Sequence, residues 1–232
     1  MKVREVLPMV VMAIPLLIFI PIGCATFKSE INGRFDSPSE KNYGADGVSV
    51  FFIFSHFRQT KGYDAIPKLD NKYQRVSGIW EFDDIFQDVL QEFSNVKKFS
   101  TFTEYASDVR EPERRSKKDS LMLEHDFVMK IKFMREKSFA KHFLGTFVST
   151  VSLTLFPVPY KHSYSIDLEI FDAKGHLLKS YSRNNSLTKW VQTFLIFIHP
   201  FHPERRKKEE IYVEFMRDIF KQIETEKVLI KS

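Results

Sequence analysis

The chain has 232 residues with 35 Lys and Arg against 30 Asp and Glu, a formal net charge of +5. An excess that small does not mark a nucleic-acid binder, and 43% hydrophobic residues are too many for a disordered chain. One cysteine rules out an internal disulfide, a CxxC redox pair and a Cys-rich zinc site.

That cysteine ends the first recognisable element. Lys2 and Arg4 form a positive start, Leu7 to Ile22 an apolar run interrupted by Pro8, Pro15 and Pro21, and Gly23 a small residue before Cys24. A charged start, an apolar middle and a small residue at the cut describe an export signal over residues 1–23. The run is shorter than the ~20 residues of a spanning helix. "IPIGC" resembles a bacterial lipobox of the loosened kind found in spirochaete lipoproteins, with Pro21 where leucine is usual. The resemblance implies cleavage before Cys24, a diacylglycerol on its sulfur and, from Ala25 and Thr26, outer-membrane sorting. It places the protein in the cell envelope, with the membrane as a partner through the Cys24 lipid. Residues 25–47 are polar and rich in turn formers, so 24–47 reads as a lipidated tether.

Residues 48–232 read as one α+β domain. "VSVFFIF" (48–54) is a strand buried on both faces. "DDIFQDVLQEF" (83–93) places apolar residues at helical spacing behind an aspartate that can cap it. "VKKFSTFTEY" (96–105) is a strand, and 106–120 a charged, solvated connection. "DFVMKIKFM" (126–134) and "SYSIDLEIF" (163–171) alternate as half-buried strands, and "DAKG" turns the second into 176–187 as a hairpin. Tyr212, Phe215, Met216, Ile219 and Ile223 make the apolar stripe of a last helix, 208–226. The expected fold is a two-layer domain: a mixed or antiparallel sheet of about five strands with helices on one face. This order of elements resembles the α/β domain of curli-secretion lipoproteins. The likeness carries no motif, so no functional residue transfers.

Two connections are too apolar for ordinary loops: 143–159 and 190–203. In an antiparallel meander both fall at one end of the sheet. Their large side chains, Phe143, Leu144, Phe147, Val151, Leu155, Trp190, Phe194, Phe197 and Phe201, each gain roughly 1.5–3 kcal/mol on leaving water. Three fates are open: packing within the domain, seating in the bilayer interface, or contact with a partner protein or a second copy. In the curli-secretion lipoproteins comparable insertions build a barrel, and Val151, Leu153 and Leu155 alternate with Ser152 and Thr154 as a barrel strand does.

The basic runs 114–118 and 205–208 read as solvated helix or loop faces. His199 and His202 form an HxxH pair broken by prolines, without a third ligand, so no metal or other cofactor is expected. There is no P-loop, no G-x-G-x-x-G and no G-x-S-x-G elbow. The expected role is therefore a lipid-anchored structural, assembly or accessory module without catalysis. The alternatives are an oligomeric secretion or pore component, or a ligand-binding or enzymatic envelope domain with no recognisable motif.

Overall fold

The computed structural model describes residues 23–38, 40–71, 82–152, 155–192 and 204–230. Among these residues seven strands form one sheet: β1 (Gly23–Lys28), β2 (Val48–Lys61), β3 (Lys68–Leu69), β4 (Val96–Glu104), β5 (Phe127–Ser138), β6 (Val158–Asp172) and β7 (Leu177–Gln192). Among the described residues four helices accompany them: α1 (Phe82–Leu90), α2 (Pro112–Leu123), α3 (Phe139–Val151) and α4 (Glu204–Thr225). The class is α+β as expected, with two more strands than the five anticipated. The sheet runs β1-β7-β6-β5-β2, and β3 and β4 share the far edge of β2. β2 is parallel to β4 and β5, and β5, β6, β7 and β1 continue as an antiparallel meander.

Alternation along the strands sorts the side chains. Tyr164, Ile166, Leu168 and Ile170 of β6 and Met129, Ile131 and Phe133 of β5 are all buried on one face. On that face they meet Ile211, Tyr212, Phe215, Met216, Ile219, Phe220 and Ile223 of α4, with Phe86 and Val89 of α1 beside them. Phe52 touches Phe86 edge-on at 4.9 Å, and Phe93 lies 4.7 Å from Phe220. Such aromatic pairs add to area burial. The β6–β7 hairpin closes where Gly175 takes a φ of 82° and Asp172 Oδ1 accepts from the amides of Lys174 and His176 at 2.9 and 2.8 Å.

The helices are not confined to one face. Residues 106–120, expected as a loop, form a 3-10 turn (Ala106–Arg110) and then α2, whose Leu121 and Met122 cover Phe51, Ile53, Phe102 and Val128 on the opposite face. That explains why "VFFIF" is buried on both sides. The helix lacked a readable apolar stripe because its first turns are charged. Arg114 holds it to Asp108 at 2.8 Å and to the Thr103 carbonyl at 2.7 Å, and Lys118 to Glu104 at 3.1 Å.

The stretch expected as a tether also differs. Residues 23–28 are the edge strand β1, with Ala25 paired to Trp190 and both Ala25 and Thr26 buried. Beyond β1 the chain stays on the domain: the Phe35 amide donates to both carboxylate oxygens of Asp218, at 3.0 and 3.2 Å.

Candidate functional site

The strand directions bring six chain segments to one end of the sheet. β2 and β5 finish there side by side, Lys61 opposite Ser138. β6 begins there, β7 finishes there, with Val158 opposite Val191, and β1 begins there, with Cys24 opposite the same Val191. The short connection before β3 lies there too, since Lys68 pairs with Arg58 near the end of β2. The first apolar connection and the β7 end from which the second departs therefore lie at one end of the sheet, with Cys24 beside them, while residues 193–203 lie outside the described residues.

Residues 143–151 of the first connection belong to the helix α3, directly after β5. Ser138 caps it, its Oγ accepting from the Lys141 amide at 3.5 Å. Its polarity is inverted relative to an ordinary surface helix. The side turned to the protein is small: Gly145 and Ser149 are its only buried residues. A Cβ on Gly145 would stand 3.0 Å from Val158 Cγ1 and 3.4 Å from Tyr160 Cε1, so the helix lies close on the start of β6. The side turned outward is apolar: Phe143, Leu144, Phe147 and Val151 are 60–69% exposed. Leu155 and Phe156 continue the exposed surface after the helix. No Asp, Glu, Lys or Arg occurs between Lys141 and Lys161. Even the hydroxyls of Thr146 and Thr150 turn back to helix carbonyls, those of His142 and Thr146, at 2.9 Å each.

Packing within the domain, one of the three fates considered, is therefore not the fate of Phe143, Leu144, Phe147, Val151 or Leu155. Trp190 is half-buried on β7. Phe194, Phe197 and Phe201, and the His199/His202 pair, lie outside the described residues. Val151 is helical, so the strand-like alternation expected from 151 onward does not begin there.

Two further features of this end escaped the sequence reading. Tyr63 and Ile66, in the connection after β2, are exposed, and Tyr63 stacks on Phe139 at 5.7 Å while Phe139 stacks on Phe143 at 6.1 Å. Beside this shelf lies a cleft of about 340 Å³ lined by Arg58, Thr60, Tyr63, Asp64, Lys68, Arg135 and Lys137. Lys68 pairs with Asp64 at 2.5 Å, Arg58 with Asp70 at 3.1 Å, and neighbouring Lys61 with Glu136 at 2.8 Å. Among the described residues Arg135, Lys137 and Lys141 make no salt bridge. Burial, and then the charges of Lys137 and Arg135, push the His142 imidazole below its ordinary pKa. Its ring meets that of His162 edge-on at 4.8 Å.

A second cleft, of about 490 Å³, separates residues 28–35 from α4. Several of its charges are engaged: Lys28 bonds Glu214 and lies 3.5 Å from Glu210, Asp218 receives Arg183 Nε at 2.6 Å, and Arg217 reaches Asp88 at 2.6 Å. No group of three side chains suited to a metal ion occurs among the described residues. No described helix is long and apolar enough to cross a membrane.

No protein-family model and no curated protein matches the sequence. The solved structures that match include two that are distantly similar. One is a PelC dodecamer from Paraburkholderia phytofirmans, 10% identical, covering 90% of this chain and 99% of that chain with a TM-score of 0.32. The other is a single-substitution variant of the same dodecamer, 9% identical, covering 84% and 99%, with a TM-score of 0.24.

Proposed function

We propose that the protein is a lipid-anchored cell-envelope protein that works by contact and not by catalysis, attached through a diacylglycerol on Cys24 and seated on the membrane by the α3 end of its sheet. The observation that carries this reading is the coincidence of Cys24 and the inverted helix at one sheet end. A lipid on the first residue of β1 brings a bilayer to the end of the domain where Phe143, Leu144, Phe147 and Val151 stand in water. An amphipathic helix lying in the interface buries such a face, and one anchor reinforced by a second contact holds far better than either alone. The lipobox resemblance and the apolar run before it support the anchor.

Metabolic labelling with a palmitate analogue tests the attachment. The wild-type chain is expected to carry label and the Cys24→Ala chain none. An unlabelled wild type, or label that survives the substitution, overturns the reading.

A further inference from the structure

We infer that the cleft beside α3 is a binding site for the phosphate of an anionic phospholipid headgroup. The site rests on the membrane-seated reading above and adds a ligand class to it. Three strands supply its cations: Arg58 from β2, Lys68 from β3, Arg135 and Lys137 from β5. Asp64 and Asp70 offset two of these four charges, and an added anion would relieve the repulsion that remains. The carboxylates present are already engaged. Asp64 accepts from Lys68 and from the Thr60 amide at 2.8 Å, and Asp70 pairs with Arg58. Arg135 and Lys137 are exposed and make no salt bridge among the described residues, the Arg135 charge acting on Asp70 only through space.

Arginine and lysine together suit a phosphate, the fork of one giving geometry and the point charge of the other strength. The N-terminal end of α3, with Lys141 in its first turn, adds positive field at the same place. The Tyr63–Phe139–Phe143 shelf gives the site its lipid character. It borders the cleft and continues into the apolar face of α3, so a headgroup phosphate in the cleft has its glycerol and acyl chains beside aromatic rings. A free phosphate would use the cations and leave the shelf uncovered.

The test uses the lipidated full chain in neutral detergent micelles. Backbone amide shifts of residues 58–68 and 135–141 are followed while short-chain phosphatidylglycerol, short-chain phosphatidylcholine or inorganic phosphate is added. Saturable shifts with phosphatidylglycerol are expected, little change with the other two, and affinity about tenfold weaker in the Arg135→Gln/Lys137→Gln chain. Both side chains are exposed, so unchanged spectra elsewhere verify the fold. Equal response to phosphatidylcholine, equal response to inorganic phosphate, or no response at all overturns the inference. Palmitate label on Cys24 is read on the same sample. A chain that carries label but ignores phosphatidylglycerol therefore refutes the headgroup site alone, while an unlabelled chain refutes the anchor.

Discussion

His56 lies on β2 under α4, stacked on Phe133 at 4.8 Å and edge-on to Tyr212 at 6.5 Å. Burial pushes its imidazole down to about 4, whereas an unfolded histidine titrates at 6.5. The unfolded chain therefore takes up this proton first as pH falls. The stability of the neutral side chain is fully present above pH 6.5 and lost progressively down to about pH 4, about 3 kcal/mol in all. Urea midpoints are expected to fall across that window in the wild type and to fall less steeply in His56→Phe, which keeps the stack without the titration. A second residue-scale prediction concerns Arg183, which donates to Asp218 at 2.6 Å, to Gln222 Oε1 at 2.5 Å and to the Ser182 carbonyl at 2.8 Å. Asp218→Ala strands a buried guanidinium and frees the Phe35 amide, at a cost of about 3–5 kcal/mol. Asp218→Asn keeps an acceptor and costs less, and equilibrium urea denaturation distinguishes the two. Neither residue was legible as special in the sequence. "RNNSL" and "MRDIF" reveal Arg183 and Asp218 only as ordinary charges, and their partnership depends on how β7 and α4 meet. The core residues were legible, because Tyr164, Ile166 and Ile170 alternate in a way that no neighbour in space alters.

At the scale of elements, α3 shows where patterning misleads. Phe139, Phe143, Phe147 and Val151 recur every fourth residue, a helical stripe that the β-branched "TVSLTL" following it obscured. The usual rule would turn that stripe inward; here Gly145 and Ser149 face β6 and the stripe faces out. The close approach at Gly145 makes the arrangement testable. Gly145→Leu drives a branched side chain into Val158 and Tyr160, a degree of overpacking that costs about 1–3 kcal/mol. Few contacts hold α3, so the cost falls on its docking and not on the sheet. Amide exchange over 139–151 is expected to accelerate about tenfold while β5 and the rest of β6 keep their protection. α2 was illegible for a different reason. "PERRSKKD" is held by ion pairs to Asp108 and Glu104 and by Arg114 over the Phe102 ring at 4.6 Å, none of which leaves a periodic trace. Scattering hid the basic cleft in the same way: Arg58, Lys68, Arg135 and Lys137 are unremarkable until the β2–β5 and β2–β3 registers align them.

At the scale of the whole molecule, the absent tether has the largest consequence. A polar tether of some twenty residues would let the domain hang at any angle, with a reach of roughly 25 Å. Instead β1 begins at Gly23, and the residue after Cys24 is already buried in the sheet. Under the proposed anchoring, a lipid on Cys24 would leave no slack and would set the α3 end against the bilayer. β6 spans 15 residues away from that end, roughly 50 Å at about 3.3 Å per residue, which places the Asp172–Gly175 turn far from the lipid headgroups. The posture is measurable with a donor dye on Lys174→Cys, an exposed position, and an acceptor dye on lipid in liposomes bearing the lipidated chain. Weak transfer is expected. Inserting a Gly/Ser segment of some twenty residues between Cys24 and Ala25 keeps the anchor and the remaining pairs of β1 but restores the slack. The domain then tips, the turn visits the bilayer surface, and transfer rises. Strong transfer in the uninserted chain would show the sheet lying flat, with α3 turned away from the lipid and the seated posture refuted.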